Sequence, residues 1–224
     1  MIPELTEVEA RIVGSLIEKE MTTPEYYPLT LNSLVNACNQ KSNRDPVMSL
    51  SEKDVEDALE ELKERRLVWQ MNLAGSRVPK FEHNLKSLFP LDEKELALIA
   101  VLMLRGPQTT GELRTRTERM ASFESVSDVE MTLEKLKNRQ EETFVAELPR
   151  RTGQKENRYI ELFSRSARFE EQDLESEEQV EQPEAQRAPQ LAERVSSLEL
   201  EVQTLKAELN QFKTVFNEFR KEFE

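Results

Sequence analysis

A mainly helical α+β fold is predicted for this chain by three features of its sequence. Apolar residues recur at helical spacing through most of residues 1–165. Within that stretch, three helices followed by a two-stranded hairpin occur twice, about 85 residues apart. The C-terminal end carries an unbroken heptad pattern, which predicts one further long helix. The sequence therefore predicts two small helix-and-hairpin domains in tandem, then a linker and a coiled coil.

The first predicted domain, residues 1–90, begins with three helices. Thr6 has Glu9 three residues later, which is the spacing of a capping box, and it starts the first helix. A short second helix begins near Thr30, and the third begins after Ser51, which also has an acid three residues later. The apolar faces of these helices comprise Val8, Ile12, Leu16 and Ile17, then Leu31, Leu34, Val35 and Cys38, then Val55, Leu59, Leu62 and Leu67.

A hairpin completes the first domain. Residues 68–71 and 78–83 have strand character and flank a Gly-Ser turn. Trp69 in the first strand is interpreted as a core residue, and His83 at the end of the second as a surface residue. The polar stretch before the third helix, residues 39–46, is interpreted either as a structured turn or as a set of donors presented to a partner.

The second predicted domain, residues 91–165, repeats this order. Asp92 opens its first helix, Thr110 caps a short second helix, and Ser125 or Ser127 caps the third. The strands of its hairpin are residues 144–148 and 158–163. Three helices and a hairpin with a polar tip form the order of a winged-helix domain, which is a helix-turn-helix variant. The sequence therefore predicts two tandem winged-helix domains.

The last 59 residues are predicted to contain no third domain of this kind. Residues 166–190 lack apolar periodicity and are rich in Glu, Gln and Pro, which predicts an acidic, disordered linker. Residues 166–224 carry 7 basic and 15 acidic side chains and hold most of the chain's net charge of −13. The overall acidity therefore says little about the front domains.

Residues 191–224 are predicted to be a coiled-coil helix that forms a parallel homodimer. Apolar residues alternate at spacings of four and three, with β-branched residues at a and leucines at d, which favours two strands. The predicted dimerisation residues are Leu191, Val195, Leu198, Val202, Leu205, Leu209, Phe212, Phe216, Phe219 and Phe223. A parallel dimer pairs opposite charges at its flanks: Arg194 with Glu199, Glu201 with Lys206, and Glu208 with Lys213. The alternative is a single amphipathic helix folded back on the front domains.

Composition argues against an enzyme. The chain has one histidine, one cysteine and five scattered glycines, so a Cys/His metal site, a nucleophile with a histidine base and a Gly-rich phosphate loop are not expected. Cys38, on an apolar helix face, is interpreted as a small buried hydrophobe. We expect no catalytic residues, no cofactor, no metal and no bound nucleotide. No stretch is apolar enough to span a membrane, and the single cysteine fits the cytoplasm.

One stretch carries a family resemblance. Residues 29–47, LTLNSLVNACNQKSNRDPV, together with the capped helix 51–66 and the Trp69 strand, resemble the bacterial YceH-like family of uncharacterised proteins. The resemblance covers about residues 1–165 and is specific at NACNQKSNRDP. It implies tandem winged helices and no assigned activity, so it supports the fold and leaves the function open.

The third helices look unsuited to DNA. Helix 51–66 carries seven acids against four bases, and its first turns, which usually meet base edges, are acidic. Basic residues cluster instead in the first loop and wing, in the second helix of the second domain, and in the second wing. The candidate nucleic-acid-binding residues are Lys41, Asn43, Arg44, Arg77, Lys80, Arg114, Arg116, Arg119, Arg150, Arg151, Lys155 and Arg158. If DNA is bound, the second wing is expected to carry it.

Two functions fit these observations. The first is a DNA-associated regulator that dimerises through its C-terminal helix and binds duplex DNA. The second is a protein-interaction adaptor whose winged helices bind another protein, by fold-level analogy with bacterial condensin accessory subunits. The acidic third helices favour the adaptor, whereas the arginine-rich wings favour the regulator.

Overall fold

The computed structural model of this protein describes residues 2–72, 78–139, 142–150 and 156–164. These residues belong to one compact unit of helices and small antiparallel sheets, which confirms the α+β class. The predicted linker, residues 166–190, and the predicted coiled coil with its ten dimerisation residues, 191–224, lie outside the described residues.

Residues 2–88 form the first half, whose helices begin where the capping signals predict. Thr6 and Glu9 form the predicted capping box of the first helix, and Ser51 and Asp54 form that of the third. The elements are α1 (Glu7–Thr22), a 3-10 turn (Pro24–Tyr26), β1 (Leu29–Thr30), α2 (Leu31–Cys38), α3 (Glu52–Glu64), β2 (Val68–Met71), β3 (Lys80–His83) and α4 (Leu85–Leu88). The 3-10 turn, β1 and α4 were not predicted.

The second half repeats the order. Asp92 caps its first helix as predicted, whereas the second is capped by Thr109 and not by Thr110, and the third by Ser125. The elements are α5 (Glu93–Arg105), α6 (Thr110–Thr117), α7 (Val126–Lys137), β4 (Val145–Leu148) and β5 (Arg158–Glu161).

The two sheets have the same arrangement. In the first half, β3 lies between β1 and β2 and is antiparallel to both. In the second half, β5 pairs with β4, and on its other side Gln108 forms an antiparallel bridge to Tyr159. Gln108 thus holds the position in the second half that β1 holds in the first. Each half therefore runs helix, short strand or bridge, helix, helix, hairpin.

The two halves share one hydrophobic core. Helices α1 and α5 pack against each other most extensively, and their apolar residues belong to one cluster that runs from Ile2 to Phe163. Gly14 lies in this contact, where an added Cβ would stand 3.1 Å from both Leu104 Cγ and Met103 Cβ. The start of the described chain also pairs with its end, since the amide of Leu5 donates to the carbonyl of Phe163 at 2.7 Å. Residue 90 therefore marks a sequence repeat within one continuous core.

Two interpretations of single residues were wrong. Trp69 is 44% exposed, because it lies opposite Glu82 on the outer face of the hairpin, whereas its neighbour Val68 faces the core. His83 is buried at 8% exposure, and its Nε2 lies 2.8 Å from the Glu20 carboxylate. Hydrogen bonding to His83, together with Lys86, lowers the pKa of Glu20 to about 2 against the effect of its burial.

In the described residues, no helix is long and apolar enough to cross a bilayer.

Candidate functional site: a basic cleft between the two halves

The loop between α2 and α3 is fixed by side chains of the NACNQKSNRDP stretch. The Asn39 amide donates to the carbonyl of Leu50 and accepts from the amide of Leu50, both at 2.8 Å, which closes the loop at its two ends. The buried Arg11 of α1 donates to the carbonyls of Cys38 at 3.2 Å and Pro46 at 2.6 Å. The loop is therefore held at several points, and its tip, residues 40–43, is presented outward on a fixed base.

Arg44 is a buried structural residue. Its side chain is 0% exposed, and its guanidinium donates to both Glu18 oxygens, at 3.2 and 2.7 Å, and to the carbonyl of Ala37 at 3.1 Å. Burial raises the pKa of Glu18, but the hydrogen bonds and charge of Arg44, with Lys19, outweigh it, so the pKa lies below its ordinary value. Because all its donors face inward, Arg44 cannot reach a nucleic acid, and that interpretation is corrected.

The loop tip forms one wall of a cleft between the two halves of the fold. The cleft has a volume of about 430 Å³, and the C-terminal turns of α1, α5 and α6 supply its other walls. Its polar lining includes Lys19, Gln40, Lys41, Asn43, Arg105, Arg116 and Arg119, and its apolar lining comprises Val101, Leu104 and Met120. Glu18, which is already paired with Arg44 and with Lys19, is the one acid in the lining. Five cations therefore converge in a chain whose overall charge is −13.

Three of these cations have no carboxylate partner among the described residues: Lys41, Arg105 and Arg119. Arg105 donates to the side-chain oxygen of Asn43, whose backbone takes a left-handed φ of 60°, a conformation that asparagine adopts readily. Desolvation lowers the pKa of Arg105, and the positive charges of Arg116 and Arg44 lower it further. The cleft therefore has a surplus of positive charge that a negatively charged ligand would neutralise.

The structure brings together candidates that the sequence places in two separate clusters. Lys41 and Asn43 come from the first half, Arg116 and Arg119 from the second, and all four line the cleft. Sequence reasoning missed Lys19 and Arg105, which join the cleft through the C-terminal turns of α1 and α5. Both are basic residues in the last turn of a helix, which is the sequence signal that could have pointed to them. Such residues commonly complement the helix dipole, so the signal is not specific for a binding site.

The other candidates lie elsewhere. Arg114 is exposed on α6 and donates to the carbonyl of Glu124, and Lys80 lies on β3. At the second hairpin, Arg150 donates to Asn157, and Arg158 pairs with Glu112 at 3.0 Å and donates to the carbonyl of Pro107. Arg77, Arg151 and Lys155 lie outside the described residues.

The third helices present acidic outer faces. In α3, the buried residues are Val55, Leu59 and Leu62, and the opposite side of the helix exposes Glu56, Asp57, Glu60, Glu61 and Glu64. In α7, Glu130 and Glu134 are exposed beside Met131. Neither helix therefore offers phosphates an attractive surface at its centre.

Side chains suited to catalysis are few. Cys38 is buried, as predicted, and its burial raises the pKa of the thiol to about 11, which keeps it protonated at neutral pH. His83 is enclosed with Glu20, and no group of three or more metal-ligating side chains is found in the described part of the chain.

These residues define an α+β protein whose two repeated halves enclose a basic cleft. The chain belongs to the family described as a protein of unknown function, DUF480, whose model matches residues 5–154 and thus every residue of the cleft. The resemblance to the YceH-like family is thereby confirmed.

Relatives of known sequence share most of the chain. A UPF0502 protein of Geotalea daltonii is 55% identical over 160 residues, which cover 71% of this chain and 72% of the relative. A UPF0502 protein of Opitutus terrae is 51% identical over 165 residues, which cover 74% of this chain and 72% of the relative. A UPF0502 protein of Vibrio parahaemolyticus is 51% identical over 164 residues, which cover 71% of this chain and 76% of the relative.

Proposed function

We propose that this is a non-enzymatic tandem winged-helix protein that associates with duplex DNA through the basic cleft and forms a homodimer through residues 191–224. The observation that carries the proposal is the convergence of five cations on one cleft of an otherwise acidic chain. Binding to DNA depends strongly on phosphate neutralisation, and this cleft is where the described residues concentrate unpaired positive charge.

The repeated order of elements supports the winged-helix assignment. Each half has a first helix, a short pairing segment, two further helices and a hairpin, and the pairing segment lies on the same side of the hairpin in both halves. A winged-helix domain has this connectivity. Two copies that share α1–α5 packing would act as one rigid body.

We propose a mode of DNA contact other than the second wing, which the sequence favours. The exposed centres of α3 and α7 are acidic, so neither helix suits insertion into the major groove. The wing residue Arg158 already pairs with Glu112, whereas Lys41 and Arg119 are exposed at the cleft without a carboxylate partner among the described residues. We therefore propose backbone contact through the cleft, with little dependence on DNA sequence.

The salt dependence of binding tests this proposal. Lys41→Ala with Arg119→Ala removes two phosphate contacts, so the log–log salt slope is expected to flatten by about 1.8, at roughly 0.9 per contact. Fluorescence anisotropy with a blunt duplex at several salt concentrations measures the slope. Arg114→Ala with Arg150→Ala, which removes two exposed cations outside the cleft, is the matched control and should leave it unchanged. Equal slopes for wild type and the cleft variant would disprove cleft contact.

The homodimer has its own test. The heptads of residues 191–224 bring opposite charges together in a parallel pair, and each such pair contributes a few tenths of a kcal/mol, which selects orientation. Sedimentation equilibrium of the full chain at tens of micromolar should give two subunits per particle, and deletion of residues 186–224 should give one. A full chain that stays monomeric, or a deletion that stays dimeric, contradicts the proposal.

A protein-interaction adaptor is the second candidate. It is favoured by the acidic outer face of α3 and by the exposed Trp69, since aromatic side chains are enriched in protein interfaces. Absence of duplex binding even at low salt would bring this candidate ahead of the first.

A further inference from the structure

The cleft has features that contact with a duplex backbone does not require. It is concave, and its volume of about 430 Å³ lies within the range of small-ligand pockets, roughly 300–1,000 Å³. Val101, Leu104 and Met120 form an apolar part of its lining, next to the cations. This lining suits a ligand with a charged end and an apolar or aromatic body.

The charge of the cleft favours a dianion. Glu18 is shared between Arg44 and Lys19, and Glu112 is shared between Arg116 and Arg158. The cations of the lining that remain to be balanced are therefore Lys41, Arg105 and Arg119. A phosphomonoester carries a charge of roughly −1.5 to −2 at neutral pH, about twice that of a phosphodiester or a carboxylate. A ligand with a terminal phosphate therefore neutralises this surplus better than a backbone phosphate does.

The donors of the cleft also suit phosphate. The planar fork of a guanidinium matches phosphate oxygens in a bidentate manner, and the guanidinium of Arg105 has only the Asn43 oxygen as a described hydrogen-bond partner. Lys19, which donates to Gln40 at 3.4 Å and lies 3.2 Å from a Glu18 oxygen, supplies a second cation from α1. Because these groups come from segments far apart in sequence, phosphate binding here would need no Gly-rich loop, whose absence was the basis for expecting no bound nucleotide.

We infer that the cleft is a binding site for a phosphomonoester on an aromatic or apolar body, with Arg105 and Lys19 at the phosphate and the apolar lining at the body. The ligand is either a free mononucleotide or the 5′-phosphorylated end of a single strand, which share this chemistry. The inference rests on the proposed function only in using the same cleft for phosphate. It does not require that duplex DNA bind.

Isothermal titration calorimetry of the full chain tests the inference. Adenosine 5′-monophosphate and a 5′-phosphorylated single-stranded oligonucleotide are titrated beside adenosine and the same oligonucleotide with a 5′-hydroxyl. We expect at least one phosphorylated probe to bind at least 10-fold more tightly than its unphosphorylated partner. Binding of the mononucleotide identifies a free ligand, and binding of the oligonucleotide alone identifies a strand end.

Variants locate the site. Arg105→Met is expected to weaken binding of the phosphorylated probe at least 10-fold, and Arg119→Met, which changes an exposed residue, provides the same test if Arg105→Met does not fold. Arg114→Met, on the same helix as Arg116 but outside the cleft, is the control and should bind as wild type does.

The outcomes separate this inference from the proposed function. Loss of phosphate discrimination in both probe pairs, or unchanged binding by the folded cleft variants, overturns the inference even if the 5′-hydroxyl blunt duplex still binds. Binding of a phosphorylated probe without any duplex binding supports the inference and overturns the proposed function alone.

Discussion

Replacing Arg44 by methionine is expected to lower the free energy of unfolding by about 3 to 5 kcal/mol at neutral pH, the range observed when one partner of a buried ion pair is removed. The variant keeps most of the volume of the side chain but leaves the buried Glu18 carboxylate without its two guanidinium bonds, with Lys19 at 3.2 Å as its remaining described cation. It also frees the carbonyls of Ala37 and Asn43, which Arg44 satisfies in the native loop. Chemical denaturation followed by circular dichroism measures the loss.

The loss should depend on pH with a definite sign. In the wild type the pKa of Glu18 lies below its ordinary value of 4.5, so the pair stabilises above pH 4.5 and this contribution disappears as pH falls through the folded pKa. In the variant, burial without Arg44 favours the protonated form of Glu18. A lower pH therefore stabilises the variant relative to wild type. The difference between the two proteins should therefore shrink between pH 7 and pH 4.

Two further variants provide controls. Lys41→Met removes a neighbouring exposed cation and should change the free energy of unfolding by no more than about 0.5 kcal/mol. Glu18→Met combined with Arg44→Met removes both charges and should recover much of the loss, because no unpaired charge remains buried. An Arg44→Met protein as stable as wild type would show that the pair does not hold the loop.

Leucine at Gly14 is expected to destabilise the fold by about 3 kcal/mol, the upper part of the usual range for overpacking. A Cβ at this position already stands 3.1 Å from side-chain atoms of Leu104 and Met103, and leucine adds three more carbons where α1 and α5 are in contact. The two halves would have to move apart, which also widens the cleft formed by the ends of these helices. Thermal and chemical unfolding measure the loss of stability.

Gly111 offers the matched control. It lies in α6, and no atom stands within 4 Å of an added Cβ. Leucine there gains helix propensity, so Gly111→Leu should be neutral or stabilise by up to about 1 kcal/mol. If Gly14→Leu lowers the stability no more than Gly111→Leu does, α1 and α5 are not packed as closely as described.

The sequence predicts those parts of the fold that depend on local signals. The capping residues Thr6, Ser51 and Asp92 start helices where expected, because a cap and the acid three residues later satisfy backbone groups within one turn. The strands of both hairpins are also placed within a few residues, since β-branched and aromatic runs bounded by turns are local patterns.

Tertiary contacts account for what sequence reasoning missed. β1 is only two residues long and exists because it pairs with β3, a partner 50 residues away. The burial of His83 depends on Glu20 from α1, and the exposure of Trp69 depends on which hairpin face meets the core. Arg44 is indistinguishable in sequence from a surface arginine, because its partner, Glu18, lies on another element.

The cleft is missed for the same reason. Its cations come from four segments: the end of α1, the loop tip, and the ends of α5 and α6. Along the sequence, the basic residues of each segment have acidic residues nearby. The net charge of −13 therefore conceals the surplus of positive charge in the cleft. Only the packing of α1 against α5 brings the four segments to one place.

Amide chemical-shift mapping with a blunt duplex at low salt tests the central claim, that the cleft is the surface at which phosphate is bound. If the claim holds, the largest changes fall on the loop tip, residues 40–43, and on the C-terminal end of α6, and they disappear as salt is added. Changes centred on α3 or α7, with the loop tip unaffected, would contradict it.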